Sequence, residues 1–422
     1  MHLIIFSSVL TPRIKYIFSF LFKDILKIEV EFTGNSQYFL ESNLSKISYG
    51  EEPLADELFF KSSPLLFANK VEEITLKTVP FGDYQVPFPV QGSALPFDVF
   101  AASFFLISRY EEYLFQKKSN EDFKASKSLQ HKWKILKRPI IDEWALMLKN
   151  LILKKFPDFK FHQKHFSHHP TINFTVNPSL PPGFVNKSKF LFSALFQRRN
   201  RYLSSKFDRL TGIDINNEKV LQQVTEWLGP KKTKPLYFVN FPNIPTAYLK
   251  VNGLTKTLSQ KAVGLLRPCA DSAQGISTIK DNLIKLKKIH PELIHLTSQQ
   301  LEILKFPICY LNLLSSQFIS DFSMGYADTI GFRAGTCTPF NWYDLQLEKA
   351  TPLKVNAYCV TDQTLQFIPL EEGKKIIQHL VDQVKVVNGT FYSAWQLRSL
   401  SDHLKYKKLK TLFTEMLQSV GD

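Results

Sequence analysis

The sequence predicts a two-domain α/β protein, and three observations carry that prediction. Apolar stretches with strand-like patterning alternate with amphipathic helical stretches along nearly the whole chain. A hydrophobic content of 44% and an aromatic content of 14% over 422 residues suffice for full-sized cores without disulfide or metal staples. The alternation pauses beyond Phe156-Pro157-Asp158, which ends a helix ahead of a histidine-rich stretch, so a small α/β domain is expected at 1–165 and a second domain at 166–422.

In the first domain Leu3 to Val9 reads as a buried strand. No basic segment precedes it and Pro12-Arg13 follows, which argues against a secretory signal. A helix is expected from Pro12 to Leu26, with the proline in the first turn where no N–H is needed, and Ile28 to Phe32 alternates like a strand. Phe100, Phe104, Ile107 and Tyr110 recur at helical spacing in one long helix from Phe97 to Lys117. Trp144, Leu146, Leu148 and Leu151 supply the apolar surface of another helix, Ile140 to Leu153.

Beyond the boundary, strands are expected at Thr171–Val176, Leu236–Phe241 and Leu353–Val360, with helices at Lys219–Leu228, Ile279–Lys288 and Leu370–Val387. Such alternation implies a largely parallel sheet or barrel with ligand sites at the carboxyl ends of its strands. No internal repeat is visible.

The net charge is +15, partly concentrated in Gln197–Arg201, Lys231–Lys234 and Lys405–Lys410. Long-range attraction to polyanions follows from it. Aromatic residues that could stack on bases are sparse there, Tyr406 excepted, so these clusters read as solvated surface rather than a nucleic-acid groove. Cys269, Cys309, Cys337 and Cys359 are far apart with no C-x-x-C pairing, so reduced thiols and a cytoplasmic location are expected. No apolar run reaches the length of a membrane span.

Several stretches resemble a bacterial group of polysaccharide deacetylase-like (NodB-homology) proteins that carry an extra N-terminal domain. In the first domain these are Thr11-Pro12-Arg13, Asp56–Phe60, Ser93–Asp98 and Ser108–Leu114. In the second they are Asp321–Ala327, Gly331–Phe340, Tyr343–Leu345, Val360–Leu365 and Val387–Phe391. The resemblance implies a distorted (β/α) barrel with a divalent metal at the strands' carboxyl ends, activating water against an N-acetyl or related ester carbonyl.

The side chains for that chemistry are missing. Asn173 and Thr175 stand where the resemblance places two aspartates on one strand face, and neither an amide nor a hydroxyl serves as a general base or offsets a cation's charge. Leu266, or Arg267 one register on, falls at a metal-ligand histidine, Ser298-Gln299-Gln300-Leu301 replaces an Arg and His motif, and Gln396, after Trp395, replaces an acidic imidazole. The chain is therefore expected to be a catalytically inactive relative that needs no cofactor and binds a glycan or protein partner, with Arg333, Asp344, Asp362 and Trp395 as candidate binding residues.

The alternative is an active hydrolase whose rearranged site draws on Asp344, Asp362, His290 and His295 and takes a zinc-like divalent metal. A further cluster, His162, His165, His168 and His169, reads as a solvated strand edge rather than a metal site, because Lys160 and Lys164 would repel a cation. No nucleophile triad, phosphate-cradling glycine loop or zinc-finger spacing is present.

Overall fold

The computed structural model describes residues 2–119, 121, 123–177, 215–229, 233–242, 249, 252–266, 273–299 and 304–421. The basic cluster Gln197–Arg201, together with Lys231, Lys232, Arg267, Cys269, Gln300 and Leu301, lies outside these residues.

A four-stranded parallel sheet opens the chain, built from β1 (His2–Phe6), β2 (Glu29–Thr33), β3 (Ser45–Gly50) and β4 (Leu58–Lys61) in the order β2-β1-β3-β4. The hairpin β5 (Thr78–Phe81) and β6 (Tyr84–Pro87) follows. The first helix begins at Pro12, and Thr11 caps it by accepting the Ile14 N–H. It is α-helical only to Ser19; Phe20–Ile25 winds as a π-helix, which swings Phe20, Leu21, Phe22 and Ile25 into the core.

The single helix expected over Phe97–Lys117 is two helices, Val99–Ile107 and Tyr110–Lys118. Arg109 breaks it in the left-handed region at φ 55°. The break turns the Arg109 guanidinium inward onto Glu112, a pairing that helical periodicity does not reveal.

The second sheet holds β7 (Ser167–Thr175), β8 (Leu236–Asn240), β9 (Ala262–Leu266), β10 (Leu296–Ser298), β11 (Ser320–Asp321), β12 (Phe340–Asp344), β13 (Lys349–Val355), β14 (Val360–Thr361) and β15 (Thr390–Gln396). Its order is β12-β13-β11-β10-β9-β8-β7-β15-β14, parallel throughout except β12 against β13. The ladder does not close into a barrel among the described residues. Where one strand was expected over Leu353–Val360, β13 ends at Val355 and β14 starts at Val360, and the segment between them crosses the opening. There the Asn356 N–H donates to the Asp321 carbonyl on β11, and the Cys359 N–H donates to the Tyr392 carbonyl on β15.

Side-chain parity gives this sheet two faces. Ile172, Tyr237, Val239, Val263, Leu265 and Trp395 turn outward into the main core, which runs without interruption from Leu3 in the first sheet to Leu417 in the last helix. Inward face Leu236, Phe238, Leu266, Phe322, Tyr358, Tyr392 and Ala394, packed on one another as a separate apolar plug. Phe322, beyond β11, lies 5.3 Å from Phe238 and 5.8 Å from Tyr392, so rings from distant strands meet and the sheet is curled around them. Gly264 is required here, since a Cβ would come within 2.5 Å of the Phe238 ring.

Two expectations about reactive side chains need correction. Cys309 is disulfide-bonded, so the thiols are not all reduced; Cys337 and Cys359 are free and buried. The four histidines do not form a solvated edge either. His162 and His165 are exposed, but His168 is buried inside β7 beside Phe391, because β15 and β8 pair on both sides of that strand.

Candidate functional site

The carboxyl ends of β7, β10, β14 and β15 converge on one cleft, lined by Asn173, Ser298, Gln299, Tyr358, Thr361, Asp362, Ala394 and Gln396. Register explains the convergence. Asn173 pairs with Gln396 across β7 and β15, and Ser298 pairs with Leu266 across β10 and β9, so all four share the inward face. Three of the four stretches singled out in the sequence thus meet at this mouth, through Asn173, Ser298-Gln299 and Gln396.

The other degenerate positions lie beside it. Leu266 is 1% exposed and belongs to the apolar plug beneath the mouth. Thr175 accepts a hydrogen bond at 3.2 Å from the Asn240 amide on the neighbouring strand.

Among the described residues that line the cleft, Asp362 is the one carboxylate, and it is already engaged. One oxygen accepts the Gln396 N–H at 2.9 Å and the Ser399 hydroxyl at 2.5 Å. Burial holds its pKa above the ordinary carboxylate range, with these two donors opposing the shift.

Asn173 and Gln299 are in the opposite condition. Each is 3% exposed, yet the Asn173 Oδ1 and both polar atoms of the Gln299 side chain have no hydrogen-bond partner. Buried polar groups are nearly always paired, and an unpaired one costs about 1–3 kcal/mol. The enclosed space here is about 10 Å³, enough for one water or one hydroxyl group.

Arg333, Asp344 and Trp395 occupy other surroundings. The Arg333 guanidinium donates to Glu112 at 2.9 and 2.6 Å and to the Gly325 carbonyl at 2.9 Å. The guanidinium expected to bind a ligand is thus held by a buried carboxylate of the first domain. Asp344, at the end of β12, accepts the Gln346 and Leu347 N–H groups and stabilises the turn into β13. Trp395 points to the outer face and packs edge-on against Phe413 at 5.0 Å.

A catalytic metal does not fit these residues. The described residues of the mouth offer amides, hydroxyls and one engaged carboxylate, where a metal requires several charged or imidazole donors around an open position. Among the described residues no group of three or more His, Cys, Asp and Glu side chains could hold a metal ion. The residues named for a rearranged site are dispersed: His290 faces Glu292 at 3.5 Å, His295 faces the Gln317 carbonyl at 3.4 Å, and Asp344 sits on the sheet edge opposite to β14. Tyr358 and Thr361 complete the cleft. Thr361 lies inside the quoted Val360–Leu365 stretch, whereas nothing in the local sequence marks Tyr358, which enters from the segment crossing the sheet opening.

Residues 3–157 match a family of unknown function, DUF7033. No curated protein matches the chain. Among solved structures, the chain is similar to a protein from Mycobacterium smegmatis described as a polysaccharide deacetylase, at 8% identity and a TM-score of 0.38, over 61% of this chain and 86% of the other. It is also similar to the Puue allantoinase, at 9% identity and a TM-score of 0.36, over 60% of this chain and 83% of the other.

Proposed function

We propose that the chain is a non-catalytic relative of the polysaccharide deacetylases and that its strand mouth binds a neutral ligand rich in hydroxyl or amide groups, such as a glycan. One observation carries this reading: the motif positions Asn173, Gln299 and Gln396 meet in a single cleft as uncharged amides, with polar atoms of the first two buried and unpaired. An amide presents donor and acceptor side by side, which suits a sugar hydroxyl and is useless for proton abstraction near neutral pH. The small enclosed space suits a ligand that inserts one hydroxyl and lies across the rim with the rest of its surface.

Metal analysis of the purified chain, with hydrolysis assays on acetylated sugars and acetyl esters in added zinc, cobalt or manganese, tests the absence of catalysis. We expect neither bound metal nor turnover. Stoichiometric metal with metal-dependent turnover would overturn the reading. A thermal-shift screen against neutral oligosaccharides tests binding; a ligand of this class should raise the midpoint of the wild type and leave the Gln299→Met variant unmoved.

A further inference from the structure

The most exposed large apolar side chains of the described chain are Phe367 and Leu404, at 83% and 85% exposure. The segments that carry them are tied together, though they are distant in sequence. The Lys408 ammonium donates to the carbonyls of Gln366 and Ile368, on either side of Phe367, at 2.7 and 2.9 Å. Leu404 lies one turn before Lys408, in a 3₁₀ turn that leads directly into the helix Lys407–Ser419.

The same segment, Asp402–Lys410, carries four lysines against one acid, and that acid is bound to Lys410 and to the Gln223 side chain. Lys405 lies over the Tyr406 ring at 5.4 Å. Two protruding apolar tips within a lysine cluster thus make a surface with one apolar and one cationic component.

That combination matches the boundary of an anionic bilayer, where apolar side chains enter the acyl region and lysines lie against the headgroup charge. A nucleic acid would use the lysines and leave an aliphatic tip such as Leu404 in water. The patch also adjoins the mouth: Asp362, in the cleft, accepts the Gln366 N–H just before Phe367, and Gln396, in the cleft, runs directly into the Leu397–Leu400 turn ahead of Leu404. From this juxtaposition we infer that the chain docks reversibly on anionic membrane surfaces through Phe367, Leu404 and the Lys405–Lys410 cluster. Docking in this way turns the mouth toward molecules held at that surface. The inference stands independently of whether the mouth is catalytic.

Co-sedimentation of the full chain with vesicles tests it, using phosphatidylcholine alone and phosphatidylcholine with phosphatidylglycerol. Binding should require the anionic lipid and weaken with salt. Phe367→Ser with Leu404→Ser should lower the partition coefficient by roughly tenfold or more, and Lys405→Gln with Lys407→Gln by about fivefold per lysine. Both pairs are exposed, and an unchanged unfolding midpoint establishes that each variant is folded. Duplex DNA is the competing polyanion. Equal binding to neutral and anionic vesicles, no vesicle binding at all, or DNA binding together with a Phe367→Ser/Leu404→Ser variant that keeps full vesicle affinity would each overturn the inference.

Discussion

The seam where the N-terminal helices meet the parallel sheet is held by buried charge, and the mouth of that sheet is lined by neutral amides. At the seam Glu112 receives Arg109 and Arg333 from opposite sides. Asp142 accepts the Thr336 and Thr338 hydroxyls and the Cys337 N–H, and Arg13 pairs with Glu348 at 2.5 Å. Every one of these carboxylates is answered by donors from the other side of the seam. At the mouth the Asn173 Oδ1 and both polar atoms of the Gln299 amide are buried and unanswered. Fully paired buried charge fixes two surfaces in one arrangement, whereas unpaired buried amides are useful only when a ligand pairs with them. The residues at the seam hold the fold, and on the proposed function those at the mouth are left for a ligand to pair.

The strongest test of this contrast is Glu112→Gln. The variant strands two buried guanidinium groups opposite a neutral amide and should lose about 3–5 kcal/mol of stability in chemical denaturation. A loss below about 1 kcal/mol would mean that solvent reaches the seam and that its charges do not hold the two parts together.

Second in size is a pH effect at β7. Burial pushes the His168 pKa down to about 3, below its ordinary value near 6.5. The fold therefore favours the neutral ring: this stability is complete above about pH 6.5 and is lost as pH falls toward 3. Between pH 6.5 and 4.5 the wild type should lose about 2 kcal/mol more than His168→Leu, and parallel stability curves for the two proteins would refute the burial of that ring.

A third effect has the opposite sign. Burial pushes the Glu111 pKa up to about 7, with Arg109 and the Leu129 N–H opposing the shift. The protonated form is favoured in the fold, so stability is present below the unfolded value near 4.5 and declines as pH rises toward 7. Glu111→Gln keeps an acceptor for Leu129 and should match the wild type at pH 4. At pH 8 it should exceed the wild type by about 1 kcal/mol, after allowance for solvent screening; equal unfolding midpoints there would remove the effect.

The smallest change is expected at the mouth. Gln299→Met removes two unpaired polar atoms at similar volume, so without ligand it should leave stability unchanged or raise it by up to about 1 kcal/mol. A loss of more than about 2 kcal/mol would show that the Gln299 amide is paired within the fold and that the mouth does not differ from the seam.

Much of this was legible in the sequence. Period-two patterning puts Asn173 and Thr175 on one strand face, and Asn173, Gln299 and Gln396, each singled out in the sequence, line one cleft. Several residues that carry the family resemblance have structural tasks that local pattern does not announce: Thr11 and Asp98 cap helices, and Arg109 and Arg333 are bound to Glu112. Arg333 reaches that carboxylate across 221 residues of chain, a separation at which no periodicity gives information.

By itself, then, the sequence determined the alternation of strands and helices, the alternation of faces along each strand, and the uncharged character of Asn173, Leu266, Gln299 and Gln396. These follow from side-chain chemistry and from the repeat of the local backbone. Tertiary structure alone decided which distant groups meet: that Arg109 breaks a helix to reach Glu112, that His168 is enclosed between β15 and the segment leading into β8, that Tyr358 enters the cleft from the opening of the sheet, and that Lys408 ties the segment around Phe367 to the one that carries Leu404. The reason is physical, because burial and pairing depend on distances set by packing of the whole chain, and a local pattern fixes only the direction from which each residue can take part.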